Sequence, residues 1–324
     1  MKRALVITTI APPSAAVLRF PALLPDWRIY VVGDRKTPVP WRVDGIEFLP
    51  FSPARSTLDT VIPSDRYSRK NLGYLAAIRD GADVVVETDD DNFPYDSFGS
   101  RLDRTVFGAP VLDPGWVNVY RPFTRQGIWP RGFPLSRVAA SLESTLSCGP
   151  LVGEQCPIQQ CLVDGDPDVD AIYRLTIGRS ASFTGVPLIL RPGTYSPLNS
   201  QNTIWWKETY PLLYLPSYVS WRVCDIWRGL VAVAVAEARG WSVGVLPPTA
   251  RQDRNPHDLM RDFRDELPVY LDTEAVLMQV AEAVVGTSDN AQALVAAYMA
   301  LVEGGFVPAR ELELVQMWTE LLPL

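Results

Sequence analysis

Residues Val84 to Phe98 read VVVETDDDNFPYDSF, and the fold turns on this stretch. A β-branched apolar run of the kind that makes a buried strand ends in three consecutive aspartates. Adjacent carboxylates repel one another, and each is costly to remove from water without a partner. The cost falls when a divalent cation neutralises them. A hard ion such as Mg²⁺ or Mn²⁺ takes oxygen ligands, keeps several waters and completes its shell with substrate phosphate at about 2.1 Å. Asp89 and Asp91, one residue apart after a strand, therefore suit a metal-held diphosphate. A solvated acidic turn is the bland alternative for so short a motif.

Working outward, Ala4–Ile10 is an apolar run stopped by Pro12 and Pro13, and reads as a first strand buried on both faces. Trp27–Val32 repeats the pattern and closes on Gly33-Asp34, and Gly45–Leu49 is a third strand. Between Ser64 and Gly81, apolar positions at Leu72, Leu75, Ala76 and Ile78 predict a helix opened by Ser64-Asp65 and closed by Gly81. Ala82–Glu87 is the strand that follows. Strand, helix and strand in this order make a βαβ unit with a parallel sheet, whose ligands sit at the carboxyl ends of the strands. The fold class is thus α/β. The middle, Trp116 to Trp221, mixes short strands with Pro- and Gly-rich loops and receives no assignment. Leu230–Gly240 reads as helix, as do Glu274–Val285, Asn290–Glu303 and Arg310–Leu322. The chain then divides into a ligand-binding body, 1–270, and a helical cap, 271–324, packed on it.

A net charge of −7 argues against nucleic acid as a partner, because phosphate contacts need a basic surface. It leaves room for an anionic ligand in a cleft whose field a metal reverses. The N-terminal MKRALVITTIAPP has an apolar run too short for a signal peptide or a membrane span, and no other segment is long and apolar enough to cross a bilayer. The expected partners exclude a membrane, and the expected location is cytoplasmic. Cys148, Cys156, Cys161 and Cys224 form no CxxC pair and read as reduced thiols. Neither GxGxxG nor a Walker motif occurs, which disfavours a flavin, NAD or P-loop enzyme. GxSxG is also missing, and a single histidine limits hydrolase schemes.

That histidine, His257, lies in RQDRNPHDLMRDFRDE. It is either a surface or capping residue, or a third metal ligand beside the aspartates. Arg131 and Arg137 bracket an apolar turn in WPRGFPLSR. Their planar forks suit diphosphate or sugar hydroxyls, unless they are solvated loop residues. Arg69 and Lys70 sit near a helix start, where they meet phosphate or decorate a charged face. In WRVCDIWRG, Asp225 lies between Trp221 and Trp227, an arrangement that suits a sugar or an aromatic core cluster.

Several segments taken in order, GDRKTP (33–38), RKNLGYLAAI (69–78), ETDDDNFP (87–94), RGFPLSR (131–137), DGDPDVDAIYRLT (164–176) and RNPHDLMRDF (254–263), resemble the plant STELLO-type glycosyltransferases. More distantly they resemble the reversibly glycosylated polypeptides, which are UDP-arabinopyranose mutases. The overall form is also similar to the small bacterial GDP-fucopyranose/GDP-galactopyranose mutases of nucleoside-antibiotic pathways. The resemblance implies a GT-A-like, Rossmann-type mixed sheet flanked by helices, with a divalent metal (Mn²⁺ or Mg²⁺) on the triple aspartate. It implies that Arg137 matches the sugar-accepting arginine of the reversibly glycosylated polypeptides. The STELLO-type sequences carry an asparagine–histidine segment like that around His257, and the plant mutases do not.

The expectation drawn from this is a metal-dependent, flavin-independent isomerase. It would interconvert pyranose and furanose forms of a nucleotide sugar, GDP-L-fucose or GDP-L-galactose. Base and ribose would lie near Thr8, Thr9, Asp34 and Lys36, and the diphosphate on a metal held by Asp89, Asp91 and His257. Arg69, Arg131 and Trp227 would complete the substrate contacts. Arg137 would hold the anomeric centre, with Asp90 or Asp225 moving the proton at O4. The alternatives are a GT-A-type glycosyltransferase with the same donor site, and a non-catalytic nucleotide-sugar-binding scaffold. Assembly into a homo-oligomer stays open.

Overall fold

The computed structural model describes residues 1–52, 57–100, 102–255 and 257–323. Its first layer is built as the periodicity demands. Strands β1 (Arg3–Thr9), β2 (Arg28–Gly33), β3 (Glu47–Leu49) and β4 (Val84–Thr88) lie parallel in the order β3-β2-β1-β4. Alternate side chains of β1 enter opposite layers. Ala4 and Val6 join a cluster with Tyr74 and Ile78, while Leu5 and Ile7 join one with Val17, Phe20 and Leu24. Helix α1 (Ala15–Leu23) therefore covers one face, and α3 (Lys70–Arg79) covers the other, after a short α2 (Thr57–Val61). The helix predicted from Ser64 starts only at Lys70, behind a 3₁₀ turn at Tyr67–Arg69. Asp65 has φ of 58° and its carboxylate pairs with Arg35 and Lys36, so it cannot cap. Gly73 is needed where α3 crosses the strands: a Cβ there would come within 2.6 Å of Val6 Cγ1.

Beyond β4 the sheet turns mixed. It continues through β12 (Asn202–Trp206), β9 (Ile158–Gly165), β13 (Val243–Gln252), β10 (Leu188–Leu190), β6 (Thr105–Pro110) and β8 (Val152–Gln155), in that spatial order. β12 runs antiparallel to both β4 and β9, and β13 runs parallel to β9. A short β5 (Asn92–Pro94), immediately after the aspartates, pairs antiparallel with the end of β13. β7 (Gly115–Trp116) and β11 (Thr194–Tyr195) form a separate pair. The unassigned middle of the sequence thus supplies β8, β9, β10 and β12 of this sheet, together with α4 (Leu135–Glu143) and α5 (Ala171–Thr176).

Helix α6 (Cys224–Arg239) spans the run expected to be helical and ends at Gly240, whose φ of 66° is a left-handed cap. It is buried along most of its length. A Cβ on Gly229 would sit 2.1 Å from the Leu198 carbonyl oxygen, so glycine lets the helix press directly against that loop. A short α7 (Leu259–Asp265) leads into α8 (Leu267–Ala283), α9 (Asn290–Glu303) and α10 (Glu311–Leu321). α8 packs on α6, α9 on the 3₁₀ segment Lys207–Leu213, and α10 on α9. None of the described helices is long and apolar enough to cross a membrane.

Candidate active site

The carboxyl ends of β1, β2 and β4 open into a cleft of about 310 Å³, closed on its far side by β13 and the start of α6. The three aspartates lie at its centre, and each is tethered by one oxygen. Asp89 Oδ1 accepts from Tyr67 Oη at 2.6 Å, Asp91 Oδ1 accepts from Gln252 Nε2 at 2.9 Å, and Asp90 Oδ2 accepts from Thr9 Oγ1. Among the described residues the second oxygen of each makes no hydrogen bond, so three carboxylate oxygens remain for a ligand. Burial pushes the Asp89 carboxyl up to about 7, with Asp91 and Asp90 adding to the rise and Lys70 and Tyr67 only partly opposing it. Asp90 is raised for the same first reason, despite the Thr9 hydroxyl. The centre is short of positive charge.

Lys70 is the internal cation that makes the cluster tolerable. Fully buried at the head of α3, its Nζ donates to Tyr67 Oη and the Thr88 carbonyl, both at 2.9 Å, and lies 3.5 Å from Asp89 Oδ1. Tyr67 passes the connection to Ser200 Oγ at 2.7 Å, and Ser200 in turn meets Asp225 Oδ2 at 3.3 Å. The donor set fits a hard cation. Among the described residues no three His, Cys, Asp or Glu side chains converge on one metal-sized point. An ion here would take oxygens from Asp89 and Asp91 and fill its shell with diphosphate and water. His257 lies on the cleft wall, 5.5 Å from the Trp221 ring, with Nδ1 3.0 Å from Asp262 Oδ2. A carboxylate on Nδ1 is the support that orients an imidazole for work through Nε2.

The far wall is held by Arg131. Its guanidinium takes both oxygens of Asp168, at 2.8 and 2.9 Å, and both oxygens of Asp225, at 3.0 and 2.7 Å. The fork is saturated, so Arg131 lines the cleft as a brace rather than a free phosphate ligand. Against the effect of burial, the Arg131 guanidinium holds Asp225 below the usual carboxylate range. That corrects the expectation of Asp225 as a proton acceptor. Nearby, Arg254 Nη2 donates to Gln252 Oε1 at 3.0 Å while its Nε sits 3.0 Å from Asp166 Oδ2. Burial and the neighbouring Arg174 and Arg222 push the Arg254 guanidinium down to about 10.

Thr8, Thr9, Asp34 and Lys36 line the cleft, with Asp90 and the metal candidates Asp89, Asp91 and His257. Asp34 is committed to the chain: it accepts from the Arg35 and Arg66 backbone N–H groups at 2.6 and 3.1 Å. Three candidates fall elsewhere. Arg69 is wholly buried, bonded to Asp59 Oδ1 at 2.5 Å and stacked over Phe51, and it ties the start of α3 to α2 and the loop before it. Trp227 is wholly buried in the core of α6. Arg137 lies outside the cleft on α4, its half-exposed side chain paired with Glu274 on α8 at 2.8 Å. The helical turn of PLSR carries it off the wall that Arg131 faces. Sequence reasoning missed Tyr67, Gln252 and Arg254. The alternation of Gln252 and Arg254 ahead of His257 was the available signal, and no local pattern marks Tyr67. Within RNPHDLMRDF, Pro256 lies outside the described residues.

Residues 222–323 match the family of STELLO glycosyltransferases. The chain is 31% identical over 255 residues to the probable glycosyltransferase STELLO2 of Arabidopsis thaliana, covering 70% of this chain and 33% of that protein. It is 29% identical over 249 residues to the probable glycosyltransferase STELLO1 of the same plant, covering 70% and 32%. The chain spans about a third of the length of these curated relatives. It is related to STELLO-type glycosyltransferases, and its large mixed sheet flanked by helices is consistent with their GT-A-like fold. The relatives are named as transferases, which overturns the expected isomerase activity.

Proposed function

We propose that this chain is a glycosyltransferase domain taking a nucleoside diphosphate sugar as donor. One observation carries the reading: a carboxylate cluster short of positive charge, at the carboxyl end of a central parallel strand, in a cleft with room for a ligand. Such ends are where α/β sheets bind nucleotides. The nucleoside lies over the ends of β1 and β2, near Thr8 and Thr9, with the diphosphate beside Asp89 and Asp91. A Mn²⁺ or Mg²⁺ ion bound there would stabilise charge on the leaving diphosphate.

The chain's own residues do the rest. Tyr67 and Lys70 hold Asp89 in place, and Gln252 holds Asp91. Trp221, partly exposed on the cleft wall, offers an apolar face to a sugar ring. As the bond from the anomeric carbon to the phosphate oxygen breaks, an acceptor hydroxyl forms the new bond. Its proton passes to Asp90, whose free oxygen and raised pKa suit a base.

The test is equilibrium binding of GDP, UDP and their hexose conjugates with Mn²⁺, followed by transfer to a panel of sugar acceptors. Binding that falls by about 100-fold or more in Asp89→Asn/Asp91→Asn, with transfer lost, is expected. If no nucleotide of either base binds the metal-supplemented protein, the reading fails. A heat-protection comparison of GDP with UDP identifies the base, since a ligand stabilises only the state it binds.

A further inference from the structure

Among the described residues, Arg254 is the cleft arginine, of those largely shielded from water, with the smallest share of counter-charge. Arg131 has two carboxylates to itself, and Arg222 is bonded to Glu266. Arg254 must share Asp166 with Arg174. Its Nε, although 3.0 Å from that carboxylate, is out of line for a hydrogen bond and is buried without a partner. Its Nη1 makes no hydrogen bond among the described residues, so the guanidinium has one occupied corner, Nη2 on Gln252. An arginine this buried and this poorly matched is costly to keep unless an anion completes it.

Its position says which anion. The backbone N–H of Asp253 donates to the Asp91 carbonyl at 3.2 Å, and Gln252 pairs with Asn92, so the end of β13 is fastened to the acidic loop. The Gln252 amide then stands between the two charges: its Nε2 donates to Asp91 and its Oε1 accepts from Arg254. A single side-chain amide thus separates a carboxylate awaiting a cation from a guanidinium awaiting an anion. A diphosphate is the ligand whose length and charge meet both at once.

We propose that Arg254 is the protein-borne half of a diphosphate clamp. Phosphate oxygens of the nucleotide would be held between its guanidinium and a cation seated on Asp89 and Asp91. This deepens the nucleotide-sugar reading and rests on it. Gln252 is a positioning residue in this arrangement, fixing the spacing between the two halves. Because Arg254 acts on the leaving group, it contributes to phosphate affinity with no preference for the base.

The experiment measures inorganic pyrophosphate, GDP and UDP binding by calorimetry, with Mn²⁺ and in EDTA, on the whole chain. Arg254→Gln is expected to weaken pyrophosphate and both nucleotides by at least 10-fold, with Arg254→Lys losing less. Asp166→Asn removes the shared counter-charge and is expected to bind pyrophosphate as tightly as wild type or tighter. If Arg254 were only a structural brace, Asp166→Asn would weaken binding along with Arg254→Gln, and that result overturns the clamp. Wild-type pyrophosphate affinity in Arg254→Gln overturns it too, while leaving the nucleotide-sugar reading intact. Failure of the wild type to bind any of the three ligands removes both. Should Arg254→Gln fail to fold, Arg254→Lys and Asp166→Asn decide the matter alone.

Discussion

At the residue scale the acidic triplet trades stability for function. The Asp89 carboxyl sits at about 7 in the folded chain, against 3.8 for an unperturbed aspartate, chiefly because it is buried. Between those values the folded chain holds a proton that the unfolded chain has released, so stability drops as pH rises through the window. The contribution is fully present below the unfolded value and gone above the folded one. In EDTA, Asp89→Asn is therefore expected to melt higher than wild type near neutral pH, and the gap should close toward about pH 4. Thermal unfolding of the two proteins across that range checks it, and a gap that does not change with pH would refute the account. Adding Mn²⁺ at neutral pH should raise the wild type and leave the variant unmoved. The triplet was legible in the sequence because its oddity is local: charge where an apolar run stops. Tyr67 and Lys70 were not, since their role depends on a 3₁₀ turn that brings a buried ammonium under Asp89.

At the scale of elements, the cleft is one connected polar structure laid across six segments of the chain. Asp89, Tyr67, Ser200, Asp225, Arg131 and Asp168 are linked in sequence by hydrogen bonds. They join the end of β4 to the loop before β12, the first turn of α6 and the loop after β9. Arg131 is the hub, and removing it leaves Asp168 and Asp225 buried without the cation that pairs them. Arg131→Met is expected to cost about 3–5 kcal/mol. Asp225→Asn should cost less, because Arg131 keeps Asp168, and the double variant should fall short of the sum of the singles. Urea denaturation of the three proteins measures this; strict additivity would mean that the network does not act as a unit. The segment WPRGFPLSR shows why sequence reading stopped short here. Two arginines six residues apart look equivalent, yet one lies in the loop that dives under α6 and the other on an exposed helical turn.

At the scale of the whole molecule, the C-terminal helices are fastened to the sheet body by buried polar and aromatic groups. Glu311, at the start of α10, accepts from the backbone N–H groups of Ser217 and Tyr218 at 2.8 and 2.9 Å and from the Tyr214 hydroxyl at 2.5 Å. Trp318, wholly buried, donates from Nε1 to the Pro211 carbonyl at 3.0 Å and packs beside Tyr214. Trp318→Ala is expected to cost about 3–5 kcal/mol by leaving a cavity at that junction. The loss should appear as one unfolding transition moved downward, followed by far-ultraviolet dichroism and tryptophan fluorescence together. Two separated transitions would mean that the helices unfold independently of the sheet.

The sequence by itself determined the four strands of the parallel layer, most of α6, α9 and α10, the later part of α8, and the place of the aspartates at a strand end. All of these follow from local rules: strand and helix periods, glycine caps, and the cost of burying charge. The tertiary structure alone decided the mixed part of the sheet, because the pairing of β9, β12 and β13 is set by partners far along the chain. It alone separated Arg131 and Arg254 in the cleft from Arg69 and Arg137 outside it. Every arginine carries the same charge and the same fork. What distinguishes them is which carboxylates the fold has already brought within reach.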